Sequence, residues 1–522
     1  MTLTFRPTPQ QVFDHEGWSL WTTYPISVTQ DASCTTTIVG IQYSGVLTKR
    51  SGNFIEITSS STYLHIRRDK FGSIPLYYSP NLRLISTSLD QFDLKNYKLF
   101  NDDVASYIKS GILTYRSTGY HHVFKLLPFE DLRIEAGQLS VERTHDYFPP
   151  VIQNYNSSCL EQLTSKFIEN IPPLHTSTSC RLIHTSGGND SSLILSLLKR
   201  LGCGLSSTVC TSFGHIDWRS DLDDLTWAAR VAGLLGFDFK KVELSIDNFF
   251  KYHRSLVHSS PVLLHTYATA FYAQLEMLST AMNIGYIING SGPDECFIGT
   301  EKISLPDLSC AKLQPHTLVN FEQFLTSSRD YFKLDESFIS SLFNSPPSFD
   351  SRGFSELAEL SFSPVLELAE IQRRFHSLFI LQDHIHSITA SSCGIPVFFP
   401  FLTNDFFEFS FASSFLWLNN NNIYKHQIKE VLRCFLPDDI VHRQKVAFQS
   451  PSRAYFQKES PFRTALLSML DKPSSRFDAL SMKRAIYERL NSSLSLHSRY
   501  DFLEWNAYNT PVSYTHLTLP TI

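Results

Sequence analysis

The chain has 522 residues, 42% hydrophobic and 18% charged, with a net charge of −5. That length leaves room for two or three domains with sizeable cores, and the charge carries no polyanion-binding signal, so nucleic acid is not an expected partner. No apolar run of about 18 residues occurs, no charged-then-apolar leader opens the chain, and the nine Cys have no Cys-x-x-Cys or metal-type spacing. A membrane span, export and a disulfide framework are therefore not expected; reduced thiols in the cytoplasm are.

Residues 1–150 read mainly as β. Thr35–Val39 and Thr62–Ile66 are strand-like by their β-branched and aromatic content. Ser51-Gly-Asn53 and a polar turn at Ser59–Ser61 lie between them. Arg68-Asp-Lys-Phe-Gly72 leads into Pro75-Leu-Tyr-Tyr78 and a turn at Pro80-Asn81. A helix is expected over Asn101–Ser110, closed by Gly111, and further β structure over Val123–Leu127 and Leu132–Ile134. Pro149-Pro150 reads as a linker.

From Leu160 the pattern changes to strands alternating with helices, as in a parallel α/β sheet. Leu182-Ile183 reads as a buried strand. Ser186-Gly-Gly-Asn-Asp190-Ser-Ser192 is a tight glycine turn, and Leu193, Ile194, Leu197, Leu198 and Leu201 follow at helical spacing. Strands are expected at Ser207–Phe213, Val242–Leu244 and Tyr286–Ile288, and helices at Trp227–Leu235 and Ala268–Met282. Beyond Thr300 the chain reads as mainly helical, with breaks near 345–352 and 472–475 and an exposed loop at Asn419–Asn422. Residues 509–522 fit neither pattern and read as an atypical tail, open between an artefactual end and a loose β-like one, with 1–150 and 151–508 as the two domains.

Three strings carry chemistry. The first is the turn at Ser186–Ser192. A strand, a glycine turn and a helix together point free N–H groups and a partial positive charge at one place, which holds polyphosphate well. Gly187 and Gly188 let the backbone approach a ligand, Ser186, Ser191 and Ser192 offer hydroxyls, and Asp190 suits Mg²⁺. The plain alternative is an ordinary helix start capped by Asp or Ser. The full string resembles the pyrophosphate loop of the ATP pyrophosphatases, which cleave ATP between its α and β phosphates. No Gly-Lys-Ser/Thr closes it, so it is not a Walker A loop.

The second string, Gly290-Ser-Gly292-Pro-Asp294-Glu-Cys-Phe-Ile-Gly299, also follows a strand. Ligands of open α/β sheets bind at the carboxyl ends of strands, so Asp190 and Asp294 are expected to converge on a shared Mg²⁺. The third is Arg443-Gln-Lys445-Val-Ala-Phe448, in which Lys445 suits charge that builds in a transition state. Upstream, Lys425, Lys429 and Arg433 at four-residue spacing read by themselves as a solvated basic helix face. His384, His386 and the pair His121-His122 lack ligand spacing and read as satisfied or exposed histidines rather than metal ligands. Arg373-Arg374 is open between a solvated helix face and a substrate clamp.

In order and approximate spacing, the three strings resemble the synthetase domain of the asparagine synthetase family. Gly52-x-Phe54, Arg68–Gly72 and Pro75-Leu-Tyr77 resemble the same family's amidotransferase-type domain. The resemblance implies an α/β C-terminal domain of the adenine nucleotide α-hydrolase type and an α+β N-terminal domain of the Ntn-hydrolase type. It implies that Ser186–Ser192 bind ATP phosphates, with Ser212-Phe213, Gly290, Ser291 and Gly292 at the nucleotide. Asp190 and Asp294 would hold Mg²⁺ and serve catalysis beside Lys445. The implied reaction forms an acyl-adenylate and pyrophosphate from a carboxylate and ATP, then an amide and AMP by attack of a nitrogen nucleophile.

Several positions depart from the family. Glutamine-hydrolysing members carry Cys after the initiator Met, where this chain has Thr2; its first Cys is Cys34. Ile38–Tyr43 is left as a remnant of a glutamine-site strand. Ser291 stands where asparagine synthetases have Glu, Pro396 where they have the Glu of Glu-x-Arg, and Thr403 where they have Asp. The ATP half matches while the acceptor half has drifted. That pattern is similar to β-lactam synthetases and, more closely, to lasso-peptide cyclases, which implies a peptide carboxylate, a precursor peptide and a protease partner. Three functions stay open: an AMP-forming amide ligase closing a macrolactam, an asparagine synthase using ammonia or glutamine, and a non-catalytic nucleotide-binding regulator.

Overall fold

The computed structural model describes residues 10–94, 116–143, 179–293, 386–403, 425–443 and 460–470, less short gaps such as 31–34, 44–50, 217–223 and 261–265, together with a few isolated positions. The N-terminal part holds two sheets. One has the order β1 (Gln10–His15), β2 (Trp18–Thr22), β8 (Leu84–Ser86), β7 (Tyr77–Ser79), β9 (Phe124–Lys125). The other runs β11 (Gln138–Arg143), β10 (Glu130–Glu135), β6 (Tyr63–Arg68), β5 (Ser51–Ser59), β4 (Thr35–Tyr43), β3 (Ile26–Gln30) and is antiparallel throughout. Trp18, Leu20, Tyr78 and Ile85 from the first sheet share one core with Val39, Ile55, Ile57, Leu64, Ile66, Leu132 and Ile134 from the second. The sheets therefore pack face to face.

Ser51-Gly-Asn53 differs from its sequence reading. It opens a nine-residue strand rather than a connection, with Gly52 opposite Gln42 and Asn53 opposite Ile41. Buried Phe54, Ile55 and Ile57 hold that strand in the sheet, and their packing overrides the local glycine signal. Of the helix expected over Asn101–Ser110, only Asp102 and Asp103 are described, and both are helical.

The Arg68–Gly72 string is structural. The Arg68 guanidinium donates to the carbonyls of Ile74 at 3.1 Å and Leu126 at 2.5 Å. The Asp69 carboxylate accepts from the N–H groups of Phe71 and Ser73 and from Ser73 Oγ. Gly72 takes φ +63, and a Cβ there would lie 2.7 Å from the guanidinium carbon of Arg68. The turn needs glycine for both reasons.

The C-terminal part is built on a parallel sheet of order β14 (Asp238–Leu244), β13 (Thr208–His215), β12 (Cys180–His184), β15 (Ile284–Ile288), β16 (Val397–Phe398). Around it lie α1 (Asn189–Arg200), α2 (Asp224–Leu235), α3 (Ile246–Ser259), α4 (Thr266–Ser279), α5 (Ser387–Ser392), α6 (His426–Leu432), α7 (Asp438–Val441) and α8 (Pro461–Leu470). Parallel strands buried on both faces read as apolar runs, which is why Leu182-Ile183 and Tyr286–Ile288 were legible. Leu193, Ile194, Leu195, Leu197 and Leu198 are fully buried on α1, each contributing about 1.5–3 kcal/mol.

The two parts are joined. Tyr77, Leu89 and Phe92 share a core with Leu256, Tyr272 and Ile388. Ser387 Oγ donates to Ser73 O at 2.6 Å, Tyr24 Oη donates to Ser387 O at 3.2 Å, and Phe399 N–H donates to Asn53 Oδ1 at 2.9 Å. The linker at Pro149-Pro150, the loop at Asn419–Asn422, Arg373-Arg374, Thr2 and the tail lie outside the described residues.

Candidate active site

The glycine turn sits at the carboxyl end of β12, the central strand. Its shape comes from its own side chains. Gly187 N–H donates to Thr185 Oγ1 at 3.1 Å and Gly188 N–H donates to Ser186 Oγ at 3.2 Å. Thr185 Oγ1 donates to Ser191 Oγ, which donates to Gly188 O at 3.2 Å. Gly187 has φ +66, and a Cβ there would come within 2.5 Å of the Trp227 carbonyl carbon on α2. The residue capping α1 is Gly188, with no side-chain cap. The ordinary capped helix start is thereby overturned: no cap side chain stands between the first turn and a ligand. Ser191 spends its proton on the turn. Ser192 Oγ is buried and has no hydrogen-bond partner among the described residues.

The second string converges on the first. A Cβ on Gly290 would lie 3.2 Å from Ser191 N and 3.5 Å from the Asp190 carbonyl carbon, so this loop crosses the first turn of α1. Ser291 closes its own turn, with its N–H and Oγ donating to Asn289 Oδ1 at 2.9 and 2.6 Å. Gly292, at φ +116, packs on Phe401 and Leu402, within the Pro396–Thr403 stretch. Asp294 lies outside the described residues.

The third string arrives through Arg443. Its Nη2 donates to Ser186 O at 3.3 Å and to Asp224 Oδ1 at 3.2 Å, and its guanidinium lies 5.4 Å from the Trp227 ring centroid. Nη1 is buried with no hydrogen-bond partner among the described residues. Lys445 lies outside them.

Lys425 corrects its sequence reading. It is not part of a solvated face: its side chain is 7% exposed, and Nζ meets Asp190 Oδ2 at 2.5 Å. Four-residue spacing placed it on the face of a helix, yet it precedes α6 in a left-handed conformation, φ 51. That turns its side chain toward α1. Arg433 stays exposed and pairs with Glu430.

Beside the loop stands a cluster of rings. Phe213 stacks on His184 at 5.4 Å, and Tyr267 contacts both. Ser212, next along β13, is 2% exposed. His184 Nε2 lies 2.7 Å from Tyr267 Oη and its Nδ1 3.0 Å from Gln274 Oε1. Burial pushes His184 down to about 4, with the Gln274 bond opposing. His386 packs edge-on against Phe271 at 4.8 Å and Tyr267 at 5.3 Å. It is neither exposed nor satisfied as its sequence reading had it: neither ring nitrogen has a hydrogen-bond partner among the described residues. Burial, with the neighbouring His184, pushes it down to about 3. His121 and His122 have rings 6.0 Å apart, and no cluster of three metal-ligating side chains occurs among the described residues. His384 is outside them.

Glycine-lined approach, an uncapped helix start and two buried cations, Lys425 and Arg443, make a donor set that fits polyphosphate. The asparagine synthase family matches residues 183–510, more than half of the chain and all but the first residues of this sheet. The chain belongs to the asparagine synthase family. It is therefore an ATP-using ligase of the amide-forming type. Among solved structures it is similar to an NH3-dependent NAD synthetase from Campylobacter jejuni, at 16% identity over 40% of this chain and 97% of that one, TM-score 0.20. An NMN synthetase from Francisella tularensis is similar at 13% identity over 45% and 98%, TM-score 0.23. No curated protein sequence matches the chain. Among the described residues, no helix is long and apolar enough to cross a membrane.

Proposed function

We propose that this family member activates a carboxylate with ATP, releasing pyrophosphate, and joins the acyl group to an amine of the same substrate, closing a macrolactam in a ribosomal, lasso-type peptide. The observation that carries the reading is the meeting of three distant strings at one uncapped helix start: Ser186–Ser192, Gly290–Gly292 and Arg443. In this reading Ser186, Gly187, Gly188, Ser191 and Ser192 cradle the phosphates, with Ser212 and Phe213 at the nucleotide. ATP supplies the leaving group and Mg²⁺ the charge balance, held by Asp190 and Asp294. Lys445 would stabilise charge on the reacting centre, and Lys425 adds a second cation at Asp190.

The acceptor side supports an uncharged or internal nucleophile. Ser291 is spent on its own turn, and Pro396 brings no charge where asparagine synthetases carry one. The runner-up is asparagine formation from aspartate with ammonia or glutamine. Pyrophosphate exchange into ATP, run with aspartate and with precursor peptides, separates the two. Exchange with aspartate followed by asparagine release would sink the macrolactam reading. Asp190→Ala tests enzyme against regulator: an enzyme loses pyrophosphate release, whereas a nucleotide-independent binder keeps its function.

A further inference from the structure

The carboxylate read above as a metal ligand already holds a cation of the chain itself. Lys425 Nζ lies 2.5 Å from Asp190 Oδ2, and the lysine side chain is 7% exposed against 24% for the aspartate. The contact is built into the backbone. Lys425 takes φ 51, a left-handed conformation that a residue with a Cβ adopts at a cost. Its carbonyl nevertheless accepts the Lys429 N–H at 3.0 Å and so opens the α6 ladder. Gln427, Ile428, Val431 and Leu432 bury that helix. The lysine is thus delivered to the first turn of α1 by a packed element.

An ammonium at that distance fills the approach to Oδ2, and a divalent ion on the same carboxylate would repel it. Mg²⁺ gives up its water shell reluctantly, and a carboxylate that is already neutralised attracts it weakly. The lysine in turn is too sheltered to leave for water, since a buried charge without an anion is costly. Its surroundings add like charge: Lys429, one turn on, is pushed down by burial and then by Lys425 and Arg433. What draws Lys425 off Asp190 is therefore another anion. The uncapped start of α1, with Gly188 at the cap, is where a polyphosphate would bring one.

We propose that Lys425 is an interlock that keeps divalent metal off Asp190 until a nucleotide polyphosphate arrives to accept the ammonium. The inference rests on the reading of Asp190 as a metal ligand in the proposed function. Without nucleotide, Lys425 pairs with Asp190. With nucleotide, Lys425 stays beside Asp190 as the second cation of the site, but its Nζ exchanges Oδ2 for a phosphate oxygen, and Oδ2 becomes open to metal. Metal alone brings no new partner for the lysine, so it does not displace it. Metal loading is thereby made conditional on nucleotide.

The test measures metal binding without turnover, in the full-length protein, with Mn²⁺ as the probe and the paramagnetic resonance signal of the free ion as the readout. Without nucleotide, Lys425→Met should bind Mn²⁺ about tenfold more tightly than the wild type, within the usual range of coupling between two sites. Lys425→Gln also removes the charge and should move in the same direction, which covers an unstable methionine variant. Lys425→Arg keeps the charge and should stay within about twofold of the wild type. Adding Asp190→Asn to Lys425→Met should abolish the gain. With a non-hydrolysable ATP analogue present, the advantage of Lys425→Met over the wild type should disappear. Unchanged affinity in both uncharged variants, an equal gain in Lys425→Arg, a gain that survives Asp190→Asn, or an advantage that persists with the analogue would each overturn the proposal. A different result marks failure of the underlying reading. If Asp190→Asn alone leaves Mn²⁺ affinity in the presence of the analogue unchanged, Asp190 is not a metal ligand. If the analogue does not bind at all, the nucleotide site itself falls, and the interlock with it.

Discussion

Lys425 Nζ lies 2.5 Å from Asp190 Oδ2, joining residues 235 apart in sequence at the first turn of α1. The pair is half sheltered, with the lysine 7% and the aspartate 24% exposed. Such a pair is worth more than a surface bridge and less than a fully buried one. Lys425→Met is expected to cost about 2 kcal/mol in thermal or urea unfolding. In the Lys425→Met, Asp190→Asn double variant, the combined loss should be smaller than the sum of the two single-variant losses. Full additivity would mean that the contact contributes nothing.

Adjacent glycines in the loop should respond differently to one methyl group. Gly187→Ala forces a left-handed residue against Trp227 and should cost about 3 kcal/mol. Gly188 has φ −77, which any residue adopts, and its Cβ would meet Ser186 Oγ at 3.0 Å and, in ordinary contact, Arg443 Nη2 at 3.7 Å. Gly188→Ala should therefore stay within about 1 kcal/mol in stability while weakening ATP binding, measured by calorimetry. Similar unfolding midpoints for the two variants would contradict the geometry.

Acid should weaken the fold through its buried histidines. His184 at about 4 and His386 at about 3 bind protons in the unfolded chain near pH 6.5 but not in the fold. Their contribution is full above pH 6.5 and is lost as pH falls through 4 toward 3. Asp69 works in the opposite sense. Burial raises it to about 6, so its contribution is full below 3.8 and is lost as pH rises through 6. His386→Phe isolates one term. It should raise stability at pH 7 by about 1 kcal/mol, because the ring nitrogens lack hydrogen-bond partners among the described residues. It should also flatten the decline of melting temperature between pH 6.5 and 4. A variant less stable at pH 7 would show that those nitrogens are satisfied.

Asn53→Ala removes the acceptor of the Phe399 N–H, a buried group at the junction of the two parts. Leaving that donor unpaired should cost about 1–3 kcal/mol. If the strand tip is held from the N-terminal side, the amides of residues 397–402 should lose hydrogen-exchange protection first. Unchanged protection there would mean that β15 alone fixes β16.

Features written in adjacent residues were legible from the chain. The glycine turn, its flanking strand and the Gly290–Gly292 loop each depend on backbone freedom and burial within a few positions. Lys425 was not legible, because its role arises from a left-handed backbone and an approach across 235 residues. Tyr267 carried no signal by itself; it gains meaning only where α4 brings it to His184. Ser51-Gly-Asn53 shows the opposite failure, a stretch left between two expected strands that the packing of Phe54, Ile55 and Ile57 holds in a strand of its own.

The bond from Phe399 to Asn53 spans 346 residues, and so sets an order of assembly. As the chain is synthesised, the N-terminal sheets emerge with the Asn53 amide already at their surface and its partner still far from made. Contacts of such separation close late and slowly, since chain entropy must be lost before they give anything back. Until then the apolar residues facing the junction, Tyr77, Leu89 and Phe92, have no partner core to enter. The N-terminal part is thus a surface that waits for the synthetase sheet, and recombinant expression in separate pieces should favour aggregation of the first piece over its recovery.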